Sequence, residues 1–136
     1  MAVTPLNPPS LATPRGFSHA TLGEGRLLFI AGQIGWNSRA ELVSDRFADQ
    51  FDQAVANILA VLEDAGGTPD MIARMTIYVT SRQAYLEAQK DVGTRYRARM
   101  GRHYPAMTLV EVSSLLEPGA LVEIEATAVL PHTPTS

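Results

Sequence analysis

Residues 47–67 read FADQFDQAVANILAVLEDAGG, and the period of this stretch decides the fold. Phe51, Ala54, Val55, Ile58, Leu59 and Leu62 recur at spacings of three and four. That is the repeat of one helix face, not of a strand. The pattern predicts an amphipathic helix over residues 47–65. Asp45 is expected to cap its start, and Gly66-Gly67 to stop it with a residue that accepts positive φ.

Upstream the period is different. Residues 26–34 (RLLFIAGQI) are apolar at nearly every position, as in a strand covered on both faces. Residues 36–45 carry Asn, Ser and Asp and read as a loop. Residues 17–21 form a short extended segment, and the proline-rich start reads as an extended arm. Downstream, residues 68–70 make a turn, and residues 74–79 alternate with Met75, Ile77 and Val79 on one face. Ser81 then caps a second helix whose inward stripe is Tyr85, Ala88, Val92 and Tyr96. Gly101 ends that helix and Pro105 bars its continuation. Residues 107–113 alternate as a strand, and Glu117-Pro118-Gly119 turns the chain. In the last strand, residues 121–130, Val122, Ile124, Ala126, Ala128 and Leu130 face one way. Glu123, Glu125 and Thr127 face the other.

Strands at both ends with two helices between them predict an α+β layer, a mixed sheet with both helices packed on one face. The expected organisation is an arm over residues 1–16, a single domain over 17–131 and a tail over 132–136. Two helices cover one sheet face only. The other face is expected to carry Leu27 or Leu28, Phe29 or Ile30, Tyr78 and Leu109, too apolar to stay wet. A second copy of the chain is the simplest cover.

The 136 residues are 46% hydrophobic and 18% charged, with a formal charge of −3, the balance of an ordinary globular protein. The absence of cysteine excludes disulfides, a thiol nucleophile and thiolate metal sites. His19, His103 and His132 lack metal-ligand spacing. Gly23-Glu24-Gly25 lacks the helix and lysine of a phosphate loop, and no Gly-x-Ser-x-Gly is present. Neither a signal peptide nor an apolar run of roughly 18 residues occurs, so a cytoplasmic location and no membrane partner are expected. Arg95, Arg97, Arg99, Arg102 and His103 cluster at the end of the second helix, where they complement its dipole. No nucleic-acid partner is expected.

Five stretches together resemble the Rid (YjgF, reactive-intermediate deaminase) family. Ile30-Ala31-Gly32-Gln33-Ile34 resembles its Ser-Gly-Gln-Ile. Gln50, Asn57 and Leu62 followed by Ala65-Gly66-Gly67 resemble its first helix, and Met75-Thr76-Ile77-Tyr78-Val79 its third strand. Tyr104-Pro105-Ala106-Met107-Thr108 stands where Pro-Ala-Arg-Thr is usual, and Val122-Glu123-Ile124-Glu125-Ala126 matches the closing strand. The resemblance implies a chorismate-mutase-like fold and a homotrimer whose sheets close a central barrel. It also implies small-molecule pockets at the subunit interfaces. Well-known members hydrolyse 2-imino or enamine acids to 2-keto acids and ammonia, without metal or organic cofactor.

Carried over residue by residue, the resemblance sets Met107 at the arginine that forks onto a substrate carboxylate, a role a thioether cannot fill. Phe17 stands at an aromatic hydroxyl, Ala31 at the serine, Gly93 at a helix asparagine and Leu109 at a residue that is often cysteine. These positions, with Gly32 and Gln33, form the expected substrate-binding set, and Trp36 is a further candidate wall. Glu123 is the retained polar residue and the candidate catalytic group. A carboxylate there can orient and deprotonate a water attacking an imine carbon. The other reading of Glu123 is an interface carboxylate paired with Arg74 or Arg102. Gly32 and Gln33 either bring backbone close to a ligand or simply pack the sheet. Arg102 and His103 either replace the missing arginine or lie on the surface. The expected activity is therefore metal-free hydrolysis of a small imine or enamine other than the usual 2-imino acid. The alternative is a non-catalytic small-molecule-binding trimer of the same fold.

Overall fold

The last strand in sequence is an inner strand of the sheet. The computed structural model describes residues 3–132. Its elements are β1 (Val3–Leu6), β2 (Ala20–Gly23), β3 (Arg26–Ile34), α1 (Phe47–Asp64), a 3-10 turn (Pro69–Met71), β4 (Ile72–Val79), α2 (Arg82–Met100), β5 (Ala106–Glu111) and β6 (Val122–Leu130). The main sheet runs β3-β6-β4-β5. β6 is antiparallel to both β3 and β4, while β4 and β5 are parallel. The strands β3, β4 and β5 therefore all point the same way, joined by two helical crossovers that move in the same direction across the sheet. Crossovers of one hand then put both helices on the same face. The expected mixed sheet with two helices on one face is what the chain forms.

The apolar face of α1 fills the space above the sheet. Phe51, Ala54, Val55, Ile58 and Leu62 are buried against Ile72, Met75, Ile77 and Val79 of β4 and against Val122, Ile124 and Ala126 of β6. Burying a side chain such as Ile58 contributes about 1.5–3 kcal/mol, so the three- and four-residue spacing is the main local cause of this layer. Gly35, just after β3, lets the chain meet α1 closely, because a Cβ there would lie 2.5 Å from the Cα of Gln50. At its far end α1 stops as the sequence implies. Gly66 has φ +84°, and the amides of Gly66 and Gly67 donate to Glu63 O and Leu62 O, both at 2.9 Å. This double bond pattern closes a helix around a left-handed residue.

The start of α1 differs from expectation. Arg46, not Asp45, occupies the N-cap position, and its side chain makes no capping bond. Ser44 acts instead: its hydroxyl accepts from the Arg46 amide at 3.0 Å and donates to Asp49 at 2.8 Å. For α2 the reading holds, since Ser81 Oγ accepts from the Ala84 amide at 3.0 Å. Within the arm, Val3–Leu6 forms an antiparallel pair with Ala20–Gly23, a strand that the proline content concealed. Ser18 bridges to Ala106 at the start of β5, which carries Phe17 to the edge of the sheet.

The uncovered face needs a second correction. Leu27 and Phe29 lie on it, Phe29 with 74% of its surface exposed, while Leu28 and Ile30 turn towards the helices. Leu109 is not on that face. It pairs with Ile77, a core residue, and packs beneath the helices, while Val110 faces outward. The middle of the open face is polar, carrying Arg74, Thr76 and Tyr78 beside Glu123, Glu125 and Thr127. Its apolar character is thus concentrated on β3.

Among the described residues no helix is long and apolar enough to cross a membrane.

Candidate active site

A cavity of about 530 Å³ opens between α2 and the β5 edge of the sheet. Its floor is Met107 and Leu109 of β5 with Ile77 of β4. Parallel pairing sets Met75 opposite Met107 and Ile77 opposite Leu109, so period-two alternation points both β5 side chains towards the helices. Phe17 closes one side, held by the Ser18 amide donating to Pro105 O at 3.1 Å. The roof is one row of α2: Tyr85, Gln89, Gly93 and Arg97, four residues apart and hence stacked along a single helix face.

Two aromatic rings finish the wall. Tyr96 and Tyr104 stack with centroids 5.7 Å apart, and both line the cavity. The Tyr96 hydroxyl donates to His103 O at 3.0 Å. Burial pushes this phenol well above its ordinary range, so Tyr96 stays protonated as a structural donor. Gly93 leaves room. Apart from its chain neighbours and the helix's own backbone, a Cβ there would meet Arg97 Nη1 at 3.4 Å and nothing else within 4 Å. A helix-interior glycine costs roughly 1 kcal/mol relative to alanine, and here the space it frees is part of the cavity.

The predicted site residues separate into two groups. Phe17, Gly93, Met107 and Leu109 come together in the cavity. Glu123 does not join them within one chain, because it lies opposite Tyr78 on the open face of the sheet. Its carboxylate rests over Gly32, where an added Cβ would come 2.4 Å from Oε2. Gly32 is thus the gap in β3 that the Glu123 side chain occupies, and it follows Ile30 at a break in the β3–β6 register. Ala31 is exposed beside it, and the Gln33 side-chain amide donates to Ala31 O at 3.2 Å. Four residues are therefore grouped under α2, and four around the β3 irregularity.

The remaining side chains singled out in the sequence lie outside the cavity within one chain. Among the described residues Glu123 has no cation within ion-pair distance, so neither Arg74 nor Arg102 pairs with it in the single chain. Arg102 is exposed and His103 Nε2 bonds to Ile72 O at 2.7 Å, so neither enters the cavity. Trp36 is not in its wall. Asn57 bridges backbone, donating to Ile34 O at 3.1 Å and Trp36 O at 3.0 Å.

The basic cluster on α2 is a clamp as much as a dipole complement. Arg95 binds Asp49 at 3.0 Å and Asp91 at 2.9 Å, and Arg99 binds Asp52 at 2.7 Å. The hydrogen bond from Arg99 holds the Asp52 carboxyl below its usual range. For Asp49 the Ser44 hydroxyl acts first and Arg95 second, in the same direction. On the open face, the Tyr78 hydroxyl donates to Glu125 at 2.9 Å, and that bond raises the Tyr78 pKa.

Residues 9–130 match the family model described as Endoribonuclease L-PSP. The chain belongs to the Rid (YjgF) family. The Rid family protein YyfB from Yersinia pestis, itself of unknown function, is 37% identical in sequence. It superposes with a TM-score of 0.86 over 96% of this chain and 100% of its own. A RutC family protein from Pyrococcus horikoshii is 34% identical over 116 residues, 85% of this chain and 88% of its own. The human 2-iminobutanoate/2-iminopropanoate deaminase is 30% identical over 114 residues, 83% of this chain and 79% of its own. The Rid family's chorismate-mutase-like fold is accordingly the fold of this chain.

Sequence reasoning missed Gln89 and Arg97, although both lie in one row with Tyr85 and Gly93. The signal was present in the four-residue spacing. The apolar stripe beside that row is enough by itself to account for the helix.

Proposed function

We propose that this Rid family chain hydrolyses a small imine or enamine to a carbonyl compound and ammonia, at a site completed by a second copy. The observation that carries this reading is the placement of the two groups at opposite edges of the sheet. β3 and β5 are the edge strands; Glu123 and Gly32 sit by β3, and the cavity sits by β5. Head-to-tail contact that lays one copy's open face at β3 against the next copy's β5 edge brings a Glu123 to each cavity. A rotation repeated in this way closes a ring, and a homotrimer is the ring that the family resemblance implies. It also covers Phe29.

The chemistry needs no metal. The Glu123 carboxylate accepts a proton from water as the water oxygen bonds to the imine carbon. Glu123 returns that proton to the imine nitrogen, giving the neutral carbinolamine. The carboxylate then passes the carbinolamine's hydroxyl proton to the amine, the carbon–nitrogen bond breaks, ammonia leaves and the oxygen becomes the carbonyl. An enamine enters after tautomerising to the imine. Met107 offers no fork for a carboxylate, so the substrate's acid group, where it has one, is not held on β5. Relatives named as 2-iminobutanoate/2-iminopropanoate deaminases support the reaction class.

The apolar floor of Phe17, Met107 and Leu109 favours a second reading, a trimer that binds a small molecule without turnover. Ammonia release from a panel of enzymatically generated imines separates the two. Wild type should exceed the uncatalysed rate, and Glu123→Gln should fall to it. Wild type and variant both at the uncatalysed rate would refute the hydrolase and leave the binding protein.

A further inference from the structure

The roof of the cavity holds cationic groups that the fold does not neutralise. Of the three arginines on the last turns of α2, Arg95 and Arg99 are locked to aspartates of α1 and to Asp91. Arg97 is not. Among the described residues it has no carboxylate within ion-pair distance, and neither does Arg15, which lies beside Phe17 at the same cavity. Its Nη1 lies 3.4 Å from where a Gly93 Cβ would be, so the guanidinium, exposed to solvent, reaches over the glycine at the mouth of the cavity. Below these groups the walls are aromatic and aliphatic.

We infer that Arg97, assisted by Arg15, binds the carboxylate of an amphipathic ligand whose aromatic or branched apolar body lies on Met107, Leu109 and the stacked tyrosines. This deepens the reading above by naming the substrate class, and it rests on that reading only for the reaction. A guanidinium donates two parallel hydrogen bonds to a carboxylate, and the apolar walls below it bury the ligand's body. A ligand held from α2 has its polar end reversed relative to one held from β5, which suits a substrate with its acid group remote from the reacting carbon.

Phenylacetate, its neutral isostere phenylacetamide, and acetate are suitable probes, with binding measured by calorimetry on the intact protein in the absence of turnover. Phenylacetate should bind at least about tenfold more tightly than phenylacetamide, and acetate should not bind detectably. Arg97→Gln should abolish the preference for the anion, while Arg97→Lys should retain part of it. Arg15→Gln should reduce it. Glu123→Gln should retain or raise it, because a carboxylate facing the bound anion is removed, so a dead hydrolase with a charge-selective cavity would sink the reaction and spare this inference. Equal affinity for acid and amide, no saturable binding of phenylacetate, or an Arg97→Gln protein that still prefers the acid would each overturn it.

Discussion

Replacing Gln50 by leucine should cost about 3 kcal/mol of stability. The side chain is buried at 0% exposure and anchors α1 to two loops. Its Nε2 donates to Ser44 O at 2.9 Å and to Gly119 O at 3.1 Å, and its Oε1 accepts from the Leu121 amide at 2.8 Å. Leucine is similar in size, so the change deletes these bonds without opening a large void. Each buried bond contributes about 1 kcal/mol net, and a stranded partner costs more. For a chain of 136 residues the unfolding entropy is about 0.29 kcal/mol/K, which converts the loss to a fall in Tm of about 10 °C. Thermal melts followed by circular dichroism read this directly, at one fixed protein concentration because assembly shifts Tm. Gln50→Glu provides the second arm. Its carboxylate can still accept from Leu121 but repels the two carbonyls, so the loss should be at least as great at neutral pH. It should shrink as the pH falls towards about 4 and the acid regains a donor. A Gln50→Leu protein that melts within about 3 °C of wild type would refute the anchoring role.

Asp52→Asn should lower stability at neutral pH by about 0.5 kcal/mol, a small figure because both partners of the Arg99 pair reach solvent. Asp52 has a depressed pKa in the fold, so its contribution is present above the unfolded value near 3.8 and lost as the pH falls through the folded one. The variant's melting temperature should therefore decline less steeply below about pH 4 than that of wild type. Phe29→Asp should convert a ring of copies to monomers in sedimentation velocity with the fold intact by circular dichroism. An unchanged sedimentation coefficient would count against the proposed packing of the open face.

Much of the fold was legible because it depends on local periods. The three-and-four spacing of α1, the alternation of β4 and β6, the Ser81 cap and the Gly66 stop are each properties of a few adjacent residues. The β1 strand was hidden for the opposite reason: its partner is Ala20–Gly23, and proline-rich residues lack the alternation that would have revealed the pairing. That Ser44, and not Asp45, bonds the Arg46 amide and Asp49 at the start of α1 was a choice between adjacent side chains that only backbone geometry makes.

The candidate site was legible as a set of residues and not as a place. Sequence alone determined which side chains the chain has to offer: no cysteine, Met107 and Leu109 where polar groups were expected, and a Glu123 retained on the last strand. Tertiary structure decided where they point. Strand register placed Met107 and Leu109 under α2 and Glu123 on the other face of the sheet, and no pattern along one strand reveals which neighbour sets that register. It likewise decided that Arg95 and Arg99 are neutralised by α1 while Arg97 is left at the cavity. Pairing of charges depends on which helix packs alongside, and that is a contact between segments over forty residues apart.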